Sequence, residues 1–332
     1  MNQSLAYRIM TGNFALSDFG FEYDHVALKN RCKALAHMVK KATKVRLDNV
    51  ARFYVNSEKE EWDCRDDIPK WAPPFHLWFA EWQHPFGVDQ LGAMVLSADV
   101  EEWTTGDMMG MLQHCTGTNF KDLLDHGSNP AELHEGAKWI TCMDLWVSSP
   151  RIGGKAMLQG TQCFTAIDKD GKWIRSIFTG MGFVDGEDKH REEKVAHVCH
   201  CERVIGLATS FMHCKNVTRG TVTEHAKPRL VRQTGCPATI KYHTINIDPM
   251  KEVLRREGGS ESVGMKKALH ICRGHFANYT VDKPLFGHFI GTVWRPDHVR
   301  GSLEKGKVVS SYDVTAVPPP AASSAPPPDI TS

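Results

Sequence analysis

Two apolar, β-branched segments between residues 156 and 179 flank the short polar sequence DKDG at residues 168–171. Strand side chains alternate with period two, and Asp and Gly favour a tight reversal, so this pattern predicts a β-hairpin. The DxDG fragment also resembles the start of a calcium loop. However, the later oxygen ligands and the glutamate at the twelfth position are missing, which favours the turn. The chain is therefore expected to build an antiparallel sheet.

Further strands are predicted at residues 91–98, 139–147 and 239–247, where short apolar runs end at polar or glycine residues. Apolar residues at steps of three and four predict an amphipathic helix within residues 24–54 and another at 189–214. Hairpin signals outnumber signals for βαβ units. The predicted fold class is α+β, a mainly antiparallel sheet with an N-terminal and a central amphipathic helix.

With 332 residues and 41% hydrophobic content, the chain can bury a sizeable core. We expect one globular unit over residues 1–317. Residues 215–241 are rich in Gly, Pro and basic side chains and predict a mobile loop, and residues 251–262 predict a loop or an insertion. The Pro-, Ala- and Ser-rich residues 318–332 cannot build a core and are expected to form a disordered tail.

Cysteine usage and hydropathy indicate the compartment. Ten cysteines at irregular spacings fall short of a disulfide scaffold and favour reduced thiols. The first residues lack the pattern of a signal peptide, and there is no run of about eighteen apolar residues that predicts a membrane helix. The expected location is cytoplasmic, with no membrane partner.

Charge is distributed unevenly along the chain. Residues 215–307 contain 17 Lys or Arg and 8 Asp or Glu, so this region has a net charge of +9 and the rest of the chain −8. Such a basic subregion indicates either an anionic partner or docking onto the acidic part of the chain. The lysines within residues 24–54 are interpreted as a solvated helix face rather than as contacts to nucleic acid.

The segment from Gly264 to Gly301 has an unusual density of histidine, cysteine and arginine. A strand is predicted at residues 268–273, followed by a turn and a second apolar segment at residues 286–294. The side chains of His270 and Cys272 are then expected to share one face of the first strand.

Several short sequence motifs in this segment resemble the carboxy-terminal part of a large uncharacterised family of phage and prophage proteins. They are HICRGHFANY at residues 270–279, PLFGHFIGTVW at 284–294 and HVRG at 298–301. Three upstream motifs resemble motifs that occur in the same order in that family: PPFHLWFAEW, SFMHCKNV and KYHTINI. The resemblance covers most of the chain. It implies a viral or mobile-element origin and an intracellular site of action, and it supplies no reaction.

Three kinds of chemistry are open to this segment. Two histidines and an arginine are the groups that metal-independent RNA cleavage requires. His270, Cys272 and His275 could instead bind a metal ion but lack an obvious fourth ligand, and Cys272 could act as a thiol nucleophile. The structural alternative, favoured over all three, is that the histidines bond to backbone groups. The candidate catalytic residues are His270, Arg273 and His275, with His288 and His298 as secondary candidates.

For two other groups of residues, a catalytic or metal-binding role competes with a structural role. Glu81, inside the apolar run FHLWFAEW, is interpreted as a paired structural residue or as a residue on a solvent face, in preference to a catalytic acid or base. A second set matches no common zinc spacing, and buried cysteine in an apolar helix is favoured there: His197, Cys199, His200, Cys201, His213 and Cys214. No metal site and no cofactor is predicted.

The leading functional hypothesis is a phage-type intracellular protein that contacts RNA or DNA through its basic carboxy-terminal region, with metal-independent nuclease activity as one version of it. The alternative is a non-catalytic protein that binds a protein partner from the host or virion. The sequence leaves open whether the protein is an enzyme. The candidate residues for nucleic-acid contact are Arg219, Lys227, Arg229, Arg232 and Arg300.

Overall fold

The computed structural model describes residues 3–15, 25–56, 63–85, 87–101, 135–179, 191–215, 217–246, 268–272, 275–285, 290–295, 298–300 and 302–307. They belong to two compact units. The larger unit draws on residues 1–259 and 273–297, and the smaller on 260–272 and 298–332. The expected single globular unit over residues 1–317 with a basic subregion at 215–307 stays a prediction.

An eight-stranded mixed sheet forms the larger unit's centre. Its strands are β1 (Thr43–Arg46), β2 (Leu77–Gln83), β3 (Gln90–Asp99), β4 (Trp139–Ser148), β5 (Ala156–Ile167), β6 (Trp173–Thr179), β7 (Thr218–His225) and β8 (Thr239–Asn246). Their order across the sheet is β6-β5-β4-β3-β2-β1-β8-β7. The short strand β1 pairs in parallel with both β2 and β8, and the other neighbours are antiparallel.

Helices cover both faces of this sheet. Those among the described residues are α1 (Leu5–Met10), α2 (His25–Lys41), α3 (Asp48–Asn56), α4 (Arg191–His213) and α5 (Pro228–Thr234). On one face, α3 and α4 pack against Trp78 and Trp82 of β2. On the other face, α1, α2 and α5 pack against Phe79 of β2 and Tyr242 of β8. The chain is α+β, as expected.

The prediction of one helix within residues 24–54 is wrong, because β1 lies between α2 and α3. Thr43 and Val45 are β-branched and favour extended backbone. The ammonium of Lys44 donates to two carbonyls near the end of α2, and Asp48 lies in the first turn of α3, where a carboxylate is favourable. The helix α3 connects two parallel strands, so the fold contains a βαβ unit that the hairpin count missed.

The expected mobile loop at residues 215–241 is also wrong. This segment contains β7, which pairs with β8 along eight residues, and then the helix α5. Pro228 occupies the first turn of α5, where its missing N–H costs nothing. Gly235 follows the helix with a φ of 61°, a left-handed conformation that glycine adopts without strain. Gly and Pro therefore mark the two ends of a helix here.

Several other sequence predictions are confirmed. The hairpin at residues 156–179 corresponds to β5 and β6, and its turn is fixed by the Asp168 carboxylate, which accepts from the backbone N–H groups of Asp170 and Lys172 at 2.8 Å each. The strands at 91–98, 139–147 and 239–247 correspond to β3, β4 and β8, and the helix at 189–214 to α4. The loop at 251–262 and the tail at 318–332 lie outside the described residues.

Helix α4 approaches the loop before β2 very closely at Gly206. A Cβ built on this glycine would lie 2.3 Å from Cη2 of Trp71. Trp71 is 4% exposed, and its indole N–H donates to the carbonyl of Cys64 at 3.0 Å. The ring therefore has little freedom to move away.

Replacing Gly206 by alanine is expected to lower the free energy of unfolding by about 1–3 kcal/mol, because overpacking outweighs the helix propensity of about 1 kcal/mol that alanine adds. Urea unfolding of the variant measures the change. In a Trp71→Leu background the same substitution should cost little or stabilise the protein. A Gly206→Ala variant that is more stable than the wild type would contradict the close approach.

The predicted strand pair near the carboxy terminus is divided between the units. In the larger unit, β10 (His275–Tyr279) and β11 (Gly291–Arg295) form an antiparallel hairpin, and Trp294 contacts the rings of Phe53, Phe211 and Phe276. In the smaller unit, β9 (Ala268–Cys272) pairs with β12 (His298–Arg300) and with β13 (Ser302–Lys307). The strand predicted at 268–273 is present and pairs with these two later strands.

Candidate functional site

The residues of the predicted reactive centre fall in both units. His275 is exposed on β10, where Arg295 of β11 is its backbone pairing partner. Arg273 and His288 lie outside the described residues. His275 is thus the one member of the predicted set that the structure describes in the larger unit.

The smaller unit contains the other two histidines. On β9, His270 is paired through its backbone with Arg300 of β12, and Cys272 is paired in the same way with His298. Because this unit and the larger one are separate compact bodies, the combination of His270, Arg273 and His275 stays a prediction. Among the described residues, no group of three or more His, Cys, Asp or Glu is arranged to hold a metal ion.

The histidines and cysteines of α4 are packed among other side chains. His197 Nε2 lies 3.2 Å from the Gln159 amide nitrogen and 3.8 Å from Cys201 Sγ. Burial raises the pKa of the Cys201 thiol to about 12, and burial together with His197 and His84 lowers the pKa of His200 to about 4. A thiol held neutral is a poor nucleophile, and burial of Cys201 in the helix agrees with the structural interpretation of this cluster.

Three of the five predicted nucleic-acid contacts lie together on α5. Lys227 precedes the helix as its N-cap residue, and Arg229 and Arg232 are exposed one turn apart. Arg219 lies on β7, and its guanidinium donates to the Met212 carbonyl near the end of α4 at 3.2 Å. Arg300 belongs to the smaller unit.

A second group of cations lies along α2, on the face of the sheet that also carries α5. Lys29, Lys33, Lys40 and Lys41 are all exposed, and His37 lies among them. Lys29, Lys33 and His37 follow each other at steps of four residues, about 6 Å along the helix axis. The absence of acidic residues from this segment is visible in the sequence, but the sequence does not show that α2 and α5 pack on one apolar cluster.

A cleft of about 310 Å³ joins the end of α2 to the segment after α5. Its lining includes Lys40, Lys44 and Lys241 together with Pro237, which follows α5. Burial lowers the pKa of Lys44, whose ammonium bonds to backbone carbonyls. Lys40 and Lys241 are exposed. The basic residues of α2 and β8 therefore border one concave surface.

Two arginines on this face of the sheet form ion pairs with carboxylates of other strands. Arg31 donates to Asp144 of β4 at 2.6 Å. Arg46 of β1 contacts Glu81 at 3.2 Å and Glu224 at 3.4 Å through the same Nη2 nitrogen. These two arginines are therefore neutralised within the protein. The positive charge that this face presents to solvent comes from the exposed lysines and arginines of α2 and α5.

The Glu81 carboxylate is buried and connects three elements, so of the two structural interpretations of this residue the paired one is correct. It accepts from the backbone N–H of Ala6 in α1 at 2.8 Å and from Arg46. Burial raises the pKa of Glu81. Burial alone would lower the pKa of Arg46, but the neighbouring carboxylate of Glu81 raises it above its ordinary value. The other carboxylate, Glu224, accepts from the Ser4 N–H at 3.1 Å.

This cluster lines the side of a cleft of about 710 Å³ between the start of α1, the end of β1 and the strand β7. Arg46, Glu224 and Lys227 were not recognised as neighbours from the sequence, because their positions are far apart in the chain.

No protein-family model, characterised protein or solved structure matches this chain. The phage resemblance therefore stays a prediction, and function is inferred from the surfaces. None of the helices in the described part of the chain is long and apolar enough to cross a membrane.

Proposed function

We propose that the protein binds nucleic acid, RNA or DNA, through a basic layer on the α2 and α5 face of the sheet. The basic layer is defined by exposed cations of α2 and α5 and the residue that caps α5. They are Lys29, Lys33, Lys40, Lys41, Lys227, Arg229 and Arg232.

One observation carries this proposal. Residues 25–47 contain seven Lys or Arg, residues 225–246 contain four, and neither segment contains an Asp or Glu. The two segments meet, since β1 and β8 are paired and α2 and α5 pack on one apolar cluster. Like charges held on one surface repel each other, and a polyanion relieves that repulsion while it releases its own counterions.

The contacts expected from this surface are to phosphates. Lysines on a helix bind phosphate as point charges, whereas Arg229 and Arg232 can each bond two phosphate oxygens through the planar guanidinium. Such contacts position a nucleic acid without reading its sequence. We therefore expect similar affinities for unrelated sequences. Cleavage by the carboxy-terminal histidines is an additional hypothesis that the same assay addresses.

Fluorescence anisotropy with labelled DNA and RNA of about 20 base pairs, at several KCl concentrations, tests the proposal. Five phosphate contacts predict a slope of about −4.5 in log K against log[KCl], and so a loss of about 500-fold in affinity between about 50 and about 200 mM salt. Binding that does not respond to salt, or no binding at the lowest salt, contradicts it.

Two controls separate the alternatives. A poly-glutamate peptide of similar total charge tests for an acidic protein partner, and tighter binding to the peptide than to either nucleic acid would favour the protein-interaction hypothesis. Gel analysis of the recovered strands reports cleavage. Intact strands after prolonged incubation would remove the nuclease version and leave the binding proposal standing.

A further inference from the structure

The strand β7 forms one edge of the eight-stranded sheet. It pairs with β8 along eight residues, and no other strand of the described residues lies against its outer side. Thr221, Val222 and Thr223, in the middle of β7, are all exposed, and the exposed fraction of Val222 is 44%. The open edge therefore offers a row of unpaired backbone N–H and C=O groups to another strand.

Features that keep an edge strand from pairing are missing from β7. Its sequence, TRGTVTEH, contains no lysine and no proline, and its register with β8 runs without a bulge. Its two charged side chains are bonded within the protein on opposite faces of the sheet. The Arg219 guanidinium donates to the Met212 carbonyl of α4, and the Glu224 carboxylate accepts from Arg46 and from the Ser4 N–H. Both charges are thus held against the protein's own elements.

Symmetry restricts how two copies of this edge can pair. A two-fold axis perpendicular to the sheet makes the two strands antiparallel and keeps equivalent faces of both sheets on the same side. Opposite residues must also share a face, so the axis passes through a single residue. With Val222 on the axis, the two valines lie side by side and Arg219 lies opposite His225 of the second copy. With Thr221 on the axis, Val222 lies opposite Gly220 and loses this apolar contact.

We propose that β7 pairs with β7 of a second copy of this chain, antiparallel and centred on Val222. The two eight-stranded sheets then join into one continuous sheet. Because the two-fold axis keeps equivalent faces together, the basic layers of both copies lie on one side of the joined sheet. The pairing itself does not depend on nucleic-acid binding.

The dimer is expected to be weak in the absence of nucleic acid. Residues 219–225 of each copy meet at the edge, whereas stable interfaces use about 20–30 residues on each side. The two basic layers also repel each other. A nucleic acid that spans both layers removes this repulsion and holds the two copies at an effective concentration on the order of 1 mM. This second step rests on the proposed function, and it predicts cooperative binding to a long duplex.

Disulfide trapping tests the pairing without nucleic acid. In Val222→Cys the thiols of two copies face each other across the axis, with Cα atoms about 4.5–5.5 Å apart, which is within the range of a disulfide. At about 100 µM protein with oxidised glutathione, we expect most of this variant to form a disulfide dimer. Val88→Cys is the control, because Val88 is 69% exposed and lies between β2 and β3. Equal dimer formation by both variants, or none by Val222→Cys, overturns the proposal.

A second cysteine variant tests the register. With Val222 on the axis, Thr221 lies opposite Thr223 of the second copy, so Thr221→Cys should cross-link more slowly than Val222→Cys. Faster cross-linking through Thr221→Cys overturns the centre at Val222.

Anisotropy titrations with two duplexes test the assembly on nucleic acid. A duplex of about 10 base pairs spans about 34 Å and is expected to hold one copy, whereas a duplex of about 40 base pairs holds at least two. The wild type should bind the longer duplex with a Hill coefficient above about 1.5 and the shorter one with a coefficient of about 1. Val222→Lys places two ammonium groups beside the axis. It should lower the coefficient on the longer duplex to about 1, while affinity for the shorter duplex stays within about twofold.

Val88→Lys is the matched control, because it adds the same charge away from the edge and should keep the cooperativity. Loss of cooperativity in both lysine variants overturns the assignment to β7. A Hill coefficient of about 1 for the wild type on the longer duplex overturns assembly on nucleic acid. If neither duplex binds, the proposed function fails, and cross-linking of Val222→Cys still decides whether β7 pairs with a second copy.

Discussion

Neutralising four residues of the basic layer, Lys33, Lys40, Arg229 and Arg232, is expected to weaken nucleic-acid binding by about 10²–10³-fold near 0.1 M salt. Each glutamine replacement removes one phosphate contact and the counterion release that accompanies it. The slope of log K against log[KCl] should therefore become less steep by about 3–4. All four side chains are exposed, so the free energy of unfolding should change by less than about 1 kcal/mol in total.

A matched variant separates this surface from net charge. Arg65, Lys155, Lys169 and Lys172 are also exposed, belong to other parts of the larger unit, and give the same loss of four positive charges when replaced by glutamine. If both variants lose the same affinity, attraction is a property of total charge and the basic layer is not the interface. Anisotropy titrations of both variants with one duplex decide between these outcomes.

Replacing Glu81 by alanine is expected to lower the free energy of unfolding by about 2–4 kcal/mol. Glu81 is 5% exposed, and the substitution leaves the Ala6 N–H and one contact of Arg46 without an acceptor. Breaking a buried ion pair from one side costs about 3–5 kcal/mol, and the partial exposure of Arg46 reduces this figure. Urea unfolding followed by circular dichroism measures the change.

Glu81→Gln is the control for this experiment. Its amide oxygen can still accept from Ala6, so the cost should be about 1 kcal/mol or less.

The difference in the free energy of unfolding between the wild type and Glu81→Gln should also depend on pH. Burial raises the pKa of Glu81, so the folded state binds this proton more tightly than the unfolded state. The wild type therefore loses stability as pH rises through that raised pKa, and the glutamine variant does not. A stability difference between the two that is constant from pH 5 to about pH 8 would contradict this account.

Elements built from neighbours in the sequence were predictable. The hairpin of β5 and β6 and the long helix α4 follow from alternation, turn residues and a stripe of apolar positions. The strand β1 was missed because its four residues continue the apolar spacing of α2. The helix α5 was missed because its proline and glycine were read as loop residues, although their positions are those of helix ends.

The candidate sites were less predictable, because long-range contacts assemble them. Three basic residues at 227–232 were identified, but their neighbours on α2 come from nearly 200 residues earlier in the chain. For Glu81 the sequence left open a paired role and a position on a solvent face, because its partners Ala6 and Arg46 carry no local sign of the contact. Side-chain spacing within one segment reveals which residues share a face, and it does not reveal which segments meet.

The position of β1 also determines how this sheet can form. The strands β2 to β6 pair with successive neighbours, and β7 with β8 forms a hairpin, so both parts can develop from local contacts. Joining them through the pairing of Lys44 with Tyr242 closes a loop of about 200 residues around a seam only four residues long. Closing such a loop costs conformational entropy before the new contacts can offset it, so the pairing of β1 with β8 is expected to limit the folding rate. The same short pairing is expected to be the first part of the sheet to open.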